Sequence, residues 1–231
     1  MPAAATAANA KSPTANLRIR TSGVKVTRAI VRTKIIERAI AMNLTLDVIR
    51  DRLNARSPRR GAKPHAREAA VAAILAPGGA SGGWDVLMIR RAERSDDPWS
   101  GQMALPGGRK DPLDADLLAT AVRETAEETA VALSGGQLLG ELDDVEPSTP
   151  HLPDILIRPF VFGVGVKPPI RLSDEVAGHV WVPVHELPGW ATQEEITVRG
   201  SLRRVRGYRV GDALVWGLTE RILTPFLELI R

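Results

Sequence analysis

Hydrophobic positions along this chain recur at two different periods, and each period predicts a different kind of element. From Met42 the string NLTLDVIRDRL sets Leu46, Ile49 and Leu53 at helical spacing, which predicts an amphipathic helix. Residues 69–76 (AAVAAILA) are a short apolar run and 84–90 (WDVLMIR) alternate, with the glycine-rich 77–83 between them. That pattern predicts a β-hairpin. Residues 155–166 read as a long β-rich stretch in which Pro159 implies an edge or a bulge. Residues 179–184 predict another strand, followed by a short helical turn at 185–188. Residues 208–215 lead into a final helix, Leu218 to Ile230, with Leu218, Ile222, Phe226 and Leu227 on one side. Between the two groups of strands, 117–129 predicts a further helix whose apolar stripe is Leu118, Val122 and Ala126. Helices flanking a mixed sheet give an α+β chain folded as an α/β/α sandwich.

Composition bounds this picture without changing it. The 231 residues, 44% of them hydrophobic, suffice for one medium domain with an appendage. The absence of cysteine excludes disulfides, zinc–thiolate sites and thiol catalysis. No apolar run reaches membrane-spanning length and none resembles a secretory signal, so the expectation is a cytoplasmic protein without a membrane partner.

Charge divides the chain. Residues 1–66 hold 14 Lys/Arg against 3 Asp/Glu, whereas 67–231 hold 17 against 24. Residues 1–41 read as a basic, disordered extension. A start-site artefact, a mitochondrial transit peptide if the source is eukaryotic, and a nucleic-acid-binding arm are the alternatives. Residues 42–66 are a helical lead-in with a basic linker, and 42–231 form the folded domain.

The chemistry concentrates in residues 105–131, LPGGRKDPLDADLLATAVRETAEETAV. At about 100° per residue, Glu124, Glu127 and Glu128 fall within one arc of the helix, with Arg123 at its edge. Three crowded carboxylates repel one another, an arrangement that makes sense around a hard divalent cation such as Mg²⁺ or Mn²⁺. Arg and Glu on a helix are more often a solvated face. The preceding Pro106-Gly107-Gly108 shifts the balance, because a tight glycine turn lets backbone approach phosphate or metal.

This stretch resembles the Nudix box, G-x5-E-x7-R-E-U-x-E-E-x-G-U, where U is a bulky aliphatic residue. Gly108 serves as the first glycine and Asp114 as the first acidic position, with eight residues rather than seven before Arg123. Thr125 stands at an aliphatic position and Ala130 replaces the last glycine. The extra residue is similar to the coenzyme A pyrophosphatase branch, whose boxes run PGG-K/R-x-D-x-x-D. Segments around 142–147, 158–162 and 215–219 also resemble that branch, which extends the likeness over roughly 42–231. The branch's segment before the box is altered: Leu105, Met103, Asp97, Glu93 and Arg90 replace its usual residues, and Gly101 matches.

The resemblance implies the Nudix sandwich and a Mg²⁺- or Mn²⁺-dependent pyrophosphohydrolase that cleaves a nucleoside diphosphate linked to another moiety. It favours coenzyme A or acyl-coenzyme A as that small-molecule substrate. It implies catalytic roles for Arg123, Glu124, Glu127 and Glu128, with the three glutamates as metal ligands and Arg123 keeping them in register. The Gly107–Gly108 turn would add a backbone carbonyl to the cofactor site. Alternatives are hydrolysis of ADP-ribose, dinucleotides or other nucleotides, or a non-catalytic nucleotide-binding sensor. A homodimer stays open. Arg90, Arg91 and Arg94 are candidates to read a further phosphate, Trp99 to stack on adenine, and Glu175 reads as a solvated turn residue. His65, His151, His179 and His185 have no metal-ligand spacing.

Overall fold

A computed structural model describes residues 44–61, 67–79, 82–95, 97, 99–133, 137–147, 154–198 and 200–231. The basic extension, its boundary at 41/42, His65 and His151 lie outside them. Helix α1 (Leu46–Asn54) starts at Thr45, whose side chain accepts from Val48 N–H. The strands are β1 (Arg67–Pro77), β2 (Trp84–Arg91), β3 (Met103–Ala104) and β4 (Gly107–Arg109). Helix α2 (Leu117–Thr129), β5 (Gln137–Glu141), β6 (Ile155–Gly163) and β7 (Val176–Pro183) follow. A 3₁₀ turn at Leu187–Trp190 then precedes β8 (Ala191–Val198), β9 (Ser201–Val210), β10 (Ala213–Trp216) and helix α3 (Leu218–Ile230).

Two packing surfaces follow from alternation along β1, which pairs in parallel with β6 from Arg67↔Ile155 to Leu75↔Gly163. Ala69, Ala73, Leu75, Ile157 and Val161 pack with Ile49 and Leu53 of α1 and with Ile222, Phe226 and Leu227 of α3. Ala70, Ala72, Ile74, Leu156, Phe160 and Phe162 pack with Leu117 and Ala121 of α2. The α+β sandwich with a mixed sheet is the observed architecture. No helix among the described residues is long and apolar enough to cross a membrane.

The sheet is split, and the split positions the site. With β6 on one edge of β1, the other edge is shared: Leu75–Pro77 pairs with β2 and Ala69–Val71 pairs with β4. Strand β2 turns away there and pairs with β3 through Ile89 and Arg90. The β3–turn–β4 segment fills the gap between them.

Three expectations change in the structure. The buried face of α2 is Leu117, Thr120, Ala121, Thr125, Glu128 and Thr129; Leu118 and Val122 are half-buried and Ala126 is exposed. The helix is rolled so that a carboxylate points under the sheet, and Thr129 satisfies its hydroxyl on the Thr125 carbonyl at 2.6 Å. Pro159 does not sit on an edge, since β6 lies between β1 and β5. Its carbonyl accepts from Leu142 N–H, just past the last residue of β5, so its missing N–H faces the end of that strand, beyond a bulge at Leu138/Gly140. Strands β8 to β10 form a separate three-stranded sheet that the sequence reading missed.

Ala130 takes the left-handed conformation of the glycine it replaces, with φ 60° and ψ 16°, and its N–H caps Ala126 at 2.9 Å. A Cβ in that region costs about 1 kcal/mol, so Ala130→Gly is expected to raise stability by about 0.5–1 kcal/mol in urea unfolding.

A second network ties the segment after α1 to the end of β5. Asp143 accepts from Arg56 and from both the N–H and the guanidinium of Arg59. Asp144, its side chain 1% exposed, accepts from Arg158 at 2.8 and 2.9 Å and from Gly61 N–H at 3.0 Å. Burial pushes both carboxyls up, but the arginines and amides outweigh it, bringing Asp143 down to about 2 and lowering Asp144. Because both fall on folding, the stability they contribute is present above about pH 4 and is lost as pH drops toward 2. Asp144→Asn should cost about 2–3 kcal/mol at pH 7 and flatten the acid limb of the unfolding curve. An unchanged acid limb would contradict the assignment.

Candidate functional site

The glycine turn makes the site possible by removing side chains where backbone and carboxylate must meet. Gly107 has φ 145°, and a Cβ there would lie 2.2 Å from the Ala70 carbonyl oxygen. At Gly108 a Cβ would lie 2.4 Å from the Glu124 carboxyl group. The turn is pinned to β1 by Ala72 N–H, which donates to the Pro106 carbonyl at 2.8 Å.

Helix α2 brings its acids up beneath this turn. Its start is built by Asp116, which caps Ala119 N–H, and by a tight loop in which Asp114 accepts from Asp111 N–H and the Thr120 hydroxyl. Arg123 is the hub. Its Nε and Nη2 donate to Asp114 at 2.9 and 2.8 Å, its Nη1 to Glu124 at 3.0 Å and Glu127 at 2.9 Å, and its Nη2 also to the Arg109 carbonyl at 3.1 Å. The guanidinium holds the Asp114 carboxyl far below the usual carboxylate range. Arg123 thus joins Glu124 and Glu127 through one guanidinium, with Asp114 as its main partner.

The three glutamates differ in environment. Glu127 is 58% exposed at its side chain and bonded to Arg123. Glu124 is half-buried, and that burial raises its pKa against the pull of Arg123. Glu128 is 3% exposed, accepts from Gly107 N–H at 2.8 Å, and lies 4.0 Å from Arg91. Burial pushes its carboxyl up to about 7 despite those two partners. Among the described residues no three acidic or imidazole side chains converge as they stand into a metal cage. Arg123 occupies two of the carboxylates instead. The donor chemistry nevertheless fits a hard divalent cation: Glu128 is a buried carboxylate short of positive partners, and Gly108 lets Glu124 close on the turn.

Above the turn opens a cavity of about 480 Å³. Its charged end holds Glu124, Glu128, Arg91, Arg94, Asp97 and Glu175. Asp97 grips Arg91 through Nε at 2.8 Å and accepts from Trp99 N–H at 2.9 Å, which brings Trp99 to the same rim. Arg94 pairs with Glu175 at 3.2 Å. Arg90 points elsewhere, 3.9 Å from Asp212. Glu175, read from sequence as a solvated turn residue, stands on the cavity wall, and its charge helps raise both Glu124 and Glu128. The β2–β7 pairing and the bonds from Ala92 N–H to the Glu175 carbonyl and from Ser173 N–H to the Glu128 carbonyl bring it there, all contacts between segments distant in sequence, so no local signal marks it. His179 and His185 lie outside the cavity.

The NUDIX domain model matches residues 65–202. A Yersinia pestis protein described as the uncharacterized Nudix hydrolase NudL is 33% identical over 141 residues, 60% of this chain and 68% of its own. An uncharacterized Schizosaccharomyces pombe protein is 35% identical over 126 residues, 52% of this chain but only 38% of its own length. Among solved structures, the NUDIX domain of Shewanella oneidensis NrtR complexed with ADP ribose has a TM-score of 0.43 and 20% identity, covering 59% of this chain and 80% of that one.

Proposed function

This chain belongs to the NUDIX family, and on that premise we propose that it is a Mg²⁺- or Mn²⁺-dependent pyrophosphohydrolase acting on a nucleoside diphosphate linked to another moiety, with coenzyme A or its thioesters favoured. The observation that carries the reading is the delivery of Glu124 and Glu128 to a glycine turn on the floor of an open cavity.

Glu124, Glu127 and Glu128, with a carbonyl of the Gly107–Gly108 turn, would hold the cation. When bound, it supplies charge neutralisation for the diphosphate and acidifies water. The chain's own groups do the rest. Arg123 keeps Glu124 and Glu127 aimed along one helix edge. Arg91 and Arg94 stand where phosphate oxygens would lie, each already steadied by a carboxylate. One of the acids bordering the cavity accepts the proton of the attacking water. Water adds across the P–O–P bridge; for coenzyme A the products are 3′,5′-ADP and 4′-phosphopantetheine.

The test is hydrolysis of a panel by the purified chain with Mg²⁺ or Mn²⁺, with products separated by chromatography. The panel holds coenzyme A, an acyl-coenzyme A, ADP-ribose, NADH, a diadenosine polyphosphate and an oxidised nucleoside triphosphate. Preferential splitting of coenzyme A or its ester is the expected result. Preference for ADP-ribose or a dinucleotide would move the substrate and keep the chemistry. No metal-dependent turnover of any member would favour a nucleotide sensor.

A further inference from the structure

Arg91 stands between two carboxylates and serves only one of them. Its Nε donates to Asp97 Oδ2 at 2.8 Å and its Nη2 lies 2.7 Å from the same oxygen, whereas its Nη1 stops 4.0 Å from Glu128 Oε1. A charge-assisted N–H···O bond measures about 2.7–2.9 Å, so the first pair is bonded and the second is not. Glu128 is nevertheless the drier acid, its side chain 4% exposed against 13% for Asp97. Opposite charges attract more strongly where water screens them less. On that ground alone the guanidinium would close on Glu128.

Asp97 prevents this because its own position is fixed by the backbone around it. Its N–H donates to the Arg94 carbonyl at 3.3 Å, its carbonyl accepts from Ser100 N–H at 3.1 Å, and its Oδ1 accepts from Trp99 N–H at 2.9 Å. Arg94 N–H donates to the Ser100 hydroxyl at 2.8 Å, and Arg91 N–H to the Gln102 carbonyl at 3.0 Å. The carboxylate is therefore placed first, and the flexible arginine comes to it. On the other side, Glu128 Oε2 accepts from Gly107 N–H, which leaves Oε1 as the oxygen facing Arg91. A shift of about 1 Å would bring Nη1 within bonding distance of Oε1 and occupy it. Arg94 does not enter this competition, because Glu175 holds it at 3.2 Å.

Resting on the metal-dependent reading above, we propose that Asp97 is a positioning residue: by engaging Nε and Nη2 of Arg91 it holds the guanidinium short of Glu128 and keeps Glu128 Oε1 open to the cation. Arg91 and a divalent cation are rivals for one buried carboxylate, and Asp97 tips the contest toward the cation.

Mn²⁺ alone is the probe, added to the purified full chain without substrate, with the free ion counted by electron paramagnetic resonance. Only the binding that Glu128→Gln abolishes is scored. Asp97→Asn keeps the shape and an oxygen for Trp99 N–H but removes the charge that restrains Arg91. Its Kd for Mn²⁺ is expected to rise at least about fivefold, and adding Arg91→Met should return it to the parental value or below, as coupled neighbours require. A purely structural role for Asp97 would not give that rescue, since removing Arg91 does not mend a loosened loop. If Asp97→Asn does not fold, Arg91→Met alone decides: with its rival gone, Glu128 should bind Mn²⁺ at least about twofold more tightly. An unchanged Kd in Asp97→Asn, a rise that Arg91→Met fails to reverse, or no tightening where Arg91→Met decides overturns the proposal and leaves the metal-dependent reading standing. No Mn²⁺ binding by the parent overturns both. The rise and its rescue without hydrolysis of any diphosphate would support the proposal and sink the enzymatic reading.

Discussion

Glu128→Gln is expected to lower metal-dependent hydrolysis at least about a thousandfold while leaving the metal-free protein as stable as the parent or more so. The two effects have opposite signs because Glu128 is a buried charge with too few partners. Glutamine has nearly the same shape and its carbonyl oxygen can still accept the Gly107 N–H. What it loses is the negative charge, which costs free energy to bury and which a divalent cation would need. Thermal melts with and without Mg²⁺ should show the parent stabilised by the metal and the variant indifferent to it. Retention of a tenth or more of the parent's activity would remove Glu128 from the metal set. Glu127→Gln is the contrasting variant: its side chain is 58% exposed, so its loss should touch activity and hardly touch the metal-free melt.

The second large effect is expected at Arg123. Its guanidinium satisfies Asp114, whose side chain is only 6% exposed, and holds Glu124 and Glu127 at the same time. Arg123→Ala would leave that aspartate with the Asp111 N–H and the Thr120 hydroxyl alone, at a cost of about 2–4 kcal/mol. Turnover should fall with it, because the glutamates lose their common partner and repel one another. Arg123→Lys separates the two roles. An ammonium keeps the charge but cannot donate in a planar fork to Asp114 while also reaching Glu124 and Glu127. It should recover much of the melting temperature and little of kcat. Full recovery of kcat by lysine would mean that charge alone, and not the fork, organises the acids.

Periodicity and glycine placement made much of this molecule legible beforehand. Both flanking helices and the β1–β2 hairpin are visible as apolar spacing, because burial of one face demands it. The box helix and its turn are visible as residue types, because close approach needs glycine and a cation needs carboxylates. The same reading misjudged the roll of α2. It assumed that the apolar stripe faces inward, whereas Thr120, Thr125 and Glu128 are buried and Ala126 is exposed. Glu128 can be buried because the fold supplies it a partner, Gly107 N–H, from a separate strand. Sheet β8–β9–β10 escaped for a related reason: β8 alternates half-buried with exposed positions and β9 opens on four exposed ones, so neither carries much hydrophobic contrast.

Local sequence, then, determined the family, the sandwich of helices and strands, and the helix and glycine turn that carry the candidates Arg123, Glu124, Glu127, Glu128, Gly107 and Gly108, since each depends on neighbours within a few turns of chain. Tertiary structure alone decided the rest. It chose Arg91 and Arg94 over Arg90 for the cavity and brought Glu175 to its wall. Those outcomes depend on where β2 leaves β1 and how β7 pairs with β2, contacts between residues distant in sequence that no local spacing encodes.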